Sequence, residues 1–160
     1  MTYSTSEAAL LTLIRAYNAG ATFTAANSSR GDWSVVDATG TDLACVLAMN
    51  APTLESEIIE DYGKQGKIQE RHEIAIDVFH KRSQGLGGDS VAYVALTTLT
   101  DALRAYLRGY PRLNNTSGVR NTNIVGVSDV DIRKKSPHIF QTIVIRVYCE
   151  SDEILVEYPR

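Results

Sequence analysis

Leu10, Leu11, Ile14 and Tyr17 recur at helical spacing near the start of the chain, which places them on one buried stripe of a helix. Ser4 and Glu7 form an S-x-x-E pair just ahead of that stripe and predict a capping box, each side chain satisfying a donor of the first turn. Gly20 supplies a stop. A second helical stripe runs through Ala92, Ala95, Leu96, Leu99, Leu103, Tyr106 and Leu107. Asp89 or Ser90 is its expected cap, and Gly109 with Pro111 ends it.

Between and after these stripes the period changes to two, the signature of strands. Residues 43–49 place Leu43, Cys45, Leu47 and Met49 on one face and Ala44, Val46 and Ala48 on the other. Both faces are apolar, so this strand is expected to be covered on both sides. Over residues 70–81, Ile74, Ile76 and Val78 point one way, and Glu73, Ala75, Asp77, Phe79 and Lys81 the other. Residues 124–132 and 139–149 read as a closing hairpin, with Arg133-Lys134-Lys135-Ser136-Pro137 as its turn. Residues 33–37 predict a short strand, and Ile154-Leu155-Val156 another in the tail.

Two stretches lack a period. Residues 27–32 are rich in turn formers. Residues 50–69 hold Pro52, the acidic group Glu55, Glu57, Glu60 and Asp61, and then Gly63-Lys64-Gln65-Gly66-Lys67. They predict a long acidic loop, and loops of that length are usually functional. Ile58, Ile59 and Tyr62 hint at a helical turn or a docking patch inside it. The element order is helix, two or three strands, helix, two strands. It predicts one α+β domain over residues 1–160, a mainly antiparallel sheet with two principal helices on one face. Residues 150–160 form a C-terminal extension.

Composition leaves this picture standing: 44% of residues are apolar and 22% charged, the balance of a globular chain. No apolar run reaches about 18 residues, the length of a membrane-spanning helix. The N-terminal residues lack the basic and apolar regions of a secretory signal. Cys45 and Cys149 lie far apart in apolar segments and read as buried, reduced thiols.

Charge adds a new element. The net value is −3, but residues 1–70 carry 4 basic and 9 acidic side chains, and residues 71–148 carry 11 basic and 6 acidic. Such opposed flanks suit head-to-tail packing of identical subunits. The basic groups are Arg104, Arg108 and Arg112 around the end of the second helix, and Arg133, Lys134 and Lys135 in the predicted turn. They read as solvent-facing or subunit-pairing residues. Nucleic-acid recognition favours a basic domain, and the pI here is about 5.6.

Candidate chemistry fails position by position. His72 and His80 share a strand face but sit about 26 Å apart at roughly 3.3 Å per residue, too far to share a metal. His138 reads as an exposed turn residue beside Pro137. Asp129 and Asp131, two apart on a strand, point the same way, yet no third ligand is fixed nearby. Gly85-Leu86-Gly87-Gly88-Asp89-Ser90 precedes a helix without the Gly-Lys-Ser/Thr ending of a phosphate loop. Asp89 would also set a carboxylate where phosphate should bind. No Gly-x-Ser-x-Gly elbow occurs. The sequence therefore predicts no catalytic centre, no metal and no cofactor.

The pattern as a whole resembles the tail-terminator and tail-completion proteins of long-tailed bacteriophages. The resemblance rests on the strand Glu73-Ile74-Ala75-Ile76-Asp77-Val78-Phe79 and on the helix end Leu103-Arg104-Ala105-Tyr106-Leu107. It rests also on the pair Gly126-Val127-Ser128-Asp129-Val130-Asp131-Ile132 and Phe140-Gln141-Thr142-Ile143-Val144-Ile145-Arg146-Val147. It covers residues 4–150 and is architectural; residues 21–42 and the tail after Cys149 fall outside it. It implies a tail-terminator-like fold and a hexameric ring that caps the tail tube, ends its polymerisation and joins tail to head. The implied partners are further copies of the chain, the tail tube protein and a head-side connector or stopper, with the sheath where a tail has one. Genome DNA passes through the lumen without specific binding. The implied location is the virion, after assembly in the host cytoplasm. By the same resemblance the loop 50–69 touches the tube or a neighbouring subunit. Rival readings are a head-completion adaptor or stopper, a small cytosolic enzyme or ligand-binding domain, and a nucleic-acid-binding module.

Overall fold

A computed structural model describes residues 3–37, 42–49, 57–62, 65–82, 88–117, 119–135 and 138–156. The first apolar stripe forms helix α1, Tyr3–Ala16. Leu10, Leu11, Leu13 and Ile14 are buried along it. The helix begins one residue before Ser4, so Ser4 sits in its first turn rather than ahead of it. It ends in a 3-10 turn, Tyr17–Gly20, where Asn18, Ala19 and Gly20 all take left-handed backbone angles. The second stripe forms helix α3, Gly88–Arg108, after the short helix α2, Ser34–Asp37. Asp89 and Ser90 thus lie inside its first turn and do not precede it. The edge-on ring contact of Tyr17 with Tyr106, 5.3 Å between centroids, ties the ends of α1 and α3 together.

The strands are β1 Ser28–Arg30, β2 Leu43–Met49, β3 Glu57–Tyr62, β4 Gln65–Lys81, β5 Val119–Val127, β6 Asp131–Lys135 and β7 His138–Val156. They form one sheet in the order β1-β2-β4-β7-β5, with β3 beside β4 and β6 beside β7. All described pairings are antiparallel except β1 with β2. The fold is α+β, as the element order predicts.

The helix-facing side of the sheet holds the main core. Cys45, Leu47, Ile74, Ile76, Val78, Ile143, Ile145, Val147 and Cys149 pack there against Leu10, Ile14, Leu96, Leu103 and Leu107. The other side holds a second, smaller core of Val36, Ala44, Val46, Phe79 and Phe140. β2 is therefore covered on both faces, as its two apolar rows require.

Several expectations are corrected. Residues 33–37 are not a strand, because the Asp32 carboxylate accepts the Ser34 backbone N–H at 2.9 Å and folds the chain into α2. The turn-rich stretch conceals β1, a polar strand that no hydrophobic period could reveal. Ser28 is buried in it; Arg15 of α1 donates to the Ser28 hydroxyl at 2.9 Å and to its carbonyl at 2.6 Å. The predicted strand 124–132 is two strands, separated at Ser128–Val130. There Ser128 keeps the chain on β7: its N–H donates to the Val144 carbonyl, and its hydroxyl accepts the Val144 N–H.

The largest correction concerns residues 50–69. Residues 57–62 are strand β3, and 65–69 begin β4. The two pair from Glu57 opposite Gln69 to Tyr62 opposite Gln65, with an irregularity between Ile58 and Glu60. Residues 50–56, and Glu55 with them, lie outside the described residues. Residues 150–156 of the tail are likewise no separate element, since β7 runs on to Val156 and pairs with the start of β4 from Arg71↔Glu150 to Gln65↔Val156. Cross-strand hydrogen bonds, which single-chain periodicity does not encode, extend both strands. At roughly 3.3 Å per residue β4 and β7 each span about 55–65 Å, and β3 widens their far end into a three-stranded ribbon.

Candidate functional site

The sheet face opposite the helices is where charge collects. Along β4 it presents Arg71, Glu73 and Asp77; along β7 it presents Arg146, Tyr148 and Glu150. The register sets Arg71 opposite Glu150 and Glu73 opposite Tyr148. Arg71 pairs with Glu150 at 2.9 Å and lies over the Tyr148 ring at 5.4 Å. Arg146 reaches Glu73 diagonally at 4.0 Å. Arg133 of β6 faces Asp77 at 3.6 Å and Asp131 at 4.0 Å, and covers the Phe79 ring at 5.8 Å. Among the described residues both signs alternate across this face, and they form no continuous basic stripe for an incoming polyanion.

Asp77 stands apart because its side chain is buried. Burial pushes its carboxyl above the ordinary carboxylate range, against the opposing pull of Arg133. The native state thus holds this proton to higher pH than the unfolded chain does. Stability from this group is fully present below the unfolded value of about 4 and is lost as pH rises through the folded value. Asp77→Asn removes that slope. Urea denaturation between about pH 4 and pH 7 should show the variant gaining on the wild type as pH rises. Parallel stability curves would show that Asp77 does not titrate differently in the two states.

The sequence-predicted residues fall on several elements. Glu57, Glu60 and Asp61 are strand residues of β3, opposite Gln69, Lys67 and Gly66 of β4. Arg104 pairs with Asp101 one turn earlier on α3 at 3.4 Å, Arg108 is exposed in the last turn of that helix, and Arg112 donates to the Val119 carbonyl at 3.4 Å. Arg133, Lys134 and Lys135 form no turn. They are consecutive residues of β6, opposite Phe140, Ile139 and His138 of β7. Ser136 and Pro137 lie outside the described residues.

The fold does not bring the acidic and basic groups together. β3 lies on the outer edge of β4 and β6 on the outer edge of β7. They occupy opposite ends as well: β3 pairs with residues 65–69 of β4, whereas β6 meets β7 where β7 meets Lys81.

Asp129 lies between β5 and β6, not on a strand beside Asp131; the Asp131 carboxylate accepts the Ile132 N–H at 2.8 Å. His72 and His80 share the helix-facing side of β4, and the His80 Nδ1 lies 2.9 Å from the Lys81 carbonyl. Among the described residues no group of three His, Cys, Asp or Glu side chains could hold a metal ion. Cys45 and Cys149 are free and buried. Burial pushes the Cys45 thiol up and the Cys149 thiol to about 12, so neither is a ready nucleophile. Residues 85–87 of the glycine-rich connector lie outside the described residues.

Sequence reasoning missed the ion-pair ladder of Arg71, Glu73, Arg146 and Glu150. Its signal is present as charges two residues apart on each strand, but the pairing depends on register between strands some seventy-five residues apart. Comparison with protein-family models returns no matching family, and comparison with the curated proteins returns no match.

Proposed function

We propose that this chain is a virion structural protein, the subunit of a hexameric ring that caps a bacteriophage tail tube, ends its polymerisation and joins tail to head. The observation that carries the reading is the architecture. Two helices lie on one face of a mainly antiparallel sheet closed by a hairpin, built by the residues on which the tail-terminator resemblance rests. The charge of the chain adds support, because acidic β3 and basic β6 are carried on opposite edges of one sheet. On this reading the protein is not an enzyme and uses no cofactor. Its partners are other copies of itself, the tail tube protein and a head-side connector or stopper, with a sheath in a contractile tail. DNA passes the lumen without specific contacts. Among the described residues no helix is long and apolar enough to cross a membrane. On this reading the chain sits in the tail or neck after cytoplasmic assembly.

The same architecture accommodates a neck adaptor or stopper, and the two readings differ in position. Native mass spectrometry with negative-stain imaging should show a six-fold ring, alone or on purified cognate tail tubes. Cryo-electron microscopy of whole particles should place it at the head-proximal end of the tube. A ring directly beneath the portal would favour the adaptor or stopper. A chain that stays monomeric at high concentration and forms no ring on tubes would overturn the assembly reading.

A further inference from the structure

We infer that the ring interface is an edge-to-edge strand contact, β3 of one copy against β6 of the next. The inference rests on the ring reading above and gives that assembly its contact surface. Among the described residues β3 pairs only with β4, and β6 only with β7. Each therefore leaves one row of backbone donors and acceptors unpaired by the sheet, a template for a further strand. β3, Glu-Ile-Ile-Glu-Asp-Tyr, carries three acidic residues and no basic one. β6, Asp-Ile-Arg-Lys-Lys, carries three basic residues and one acidic. Their lengths, 6 and 5 residues, differ by one residue.

Charge then selects among the possible contacts. Like charges directly opposite across a strand pair are destabilising, and opposite charges are favourable. A two-fold contact of β3 with β3 brings together two edges of net charge −3, and one of β6 with β6 two edges of net charge +2. A contact of β3 with β6 sets a net −3 against a net +2. It cannot form within one chain, because about 14 residues of β4, roughly 45 Å, separate the two edges along the strands. Each copy thus offers one acidic and one basic edge, and satisfying both requires two different neighbours. That is a heterologous interface, which closes into a ring when its rotation permits. The exposed Ile132 of β6 adds apolar surface to the contact.

Charged edges also serve simply to keep sheets apart, and charge reversal separates the two roles. Variant one carries Glu57→Lys, Glu60→Lys and Asp61→Lys. Variant two carries Lys134→Glu and Lys135→Glu, leaving Arg133 on Asp77. Each alone should fail to assemble, with self-association weakened about tenfold or more by native mass and sedimentation. Mixing the two should restore rings of alternating copies, as should combining all five substitutions in one chain. Restoration also shows that the variants fold. Wild-type association should weaken with added salt. If wild-type rings form and either single variant still forms them, the edge contact is wrong while the ring stands. If the single variants fail and neither the mixture nor the five-fold variant recovers rings, the edges do not meet each other. A wild type that never assembles, in solution or on tail tubes, overturns both.

Discussion

Ile76→Ala is expected to lower the unfolding free energy by about 3–4 kcal/mol, one of the two largest single-residue losses in this molecule. Ile76 is fully buried on the helix-facing side of β4. Its neighbours across the sheet are Leu47 of β2 and Ile145 of β7, both fully buried. Leu96 and Leu103 of α3 belong to the same core. The site is enclosed between sheet and helices, so the cavity left by truncation can collapse only by moving a strand or a helix. Against a total of about 5–15 kcal/mol for a domain of ordinary stability, the loss is a large share of what holds the fold. Urea titration should show a lower midpoint with an unchanged slope. Ile76→Val should lose only about 0.5–1.5 kcal/mol. A loss below about 1 kcal/mol for the alanine variant would mean that this part of the core is loosely packed.

Ile76 also shows what the sequence made legible. Its alternation with Ile74 and Val78 is a purely local signal, and it placed the strand, its buried face and the need for helices above it. The apolar stripes of α1 and α3 and the double-faced β2 were legible for the same reason: burial leaves a period in the chain. What was illegible is held by polar or non-local forces. β1 is fixed by Arg15 reaching Ser28, α2 by the Asp32 carboxylate, and β3 by backbone pairing with the long arm of β4. None of these leaves an apolar period. An acidic, glycine-bearing segment reads as a loop until a partner strand supplies its hydrogen bonds. The basic residues 133–135 read as a turn for the same reason.

The candidate surface was legible only in part. The charge split between the two halves of the chain is a sequence property and pointed to opposed flanks. Which residues occupy those flanks depends on topology. Glu57, Glu60 and Asp61 proved to lie on one sheet edge and the β6 part of the basic group on the other, while Arg104, Arg108 and Arg112 belong to α3 and the segment after it. Topology also converts the charge from a regional balance into two strand-sized patches, and that change makes the assembly argument testable by charge reversal.

Phe79→Ala is expected to cost about 3–5 kcal/mol, and its consequences should differ in kind from those of Ile76→Ala. Phe79 is buried on the side of the sheet away from α1 and α3. It meets Trp33 edge-on at 5.7 Å and Phe140 at 6.3 Å, and Arg133 lies over its ring at 5.8 Å. One aromatic ring thus joins three elements: the turn into α2, the start of β7, and β6. Its removal takes away the apolar and cation–π support beneath Arg133, while the ion pairs of that side chain with Asp77 and Asp131 remain. The backbone amides of β6 should therefore exchange faster than the wild type's, and by more than the global loss of stability explains. Trp33, the single tryptophan of the chain, reports the other end of the contact, and its native-state emission should shift to the red as the ring it packs on disappears. Ile76→Ala leaves Phe79 in place and should show neither local effect. Phe79→Leu, which refills much of the volume without a π face, should recover most of the stability but not the β6 protection attributed to the aromatic ring. Equal β6 protection in Phe79→Leu and wild type would assign the anchoring of that edge to packing and ion pairs instead. In that case the ring beneath Arg133 contributes bulk, and the ordered presentation of the basic strand depends on Asp77.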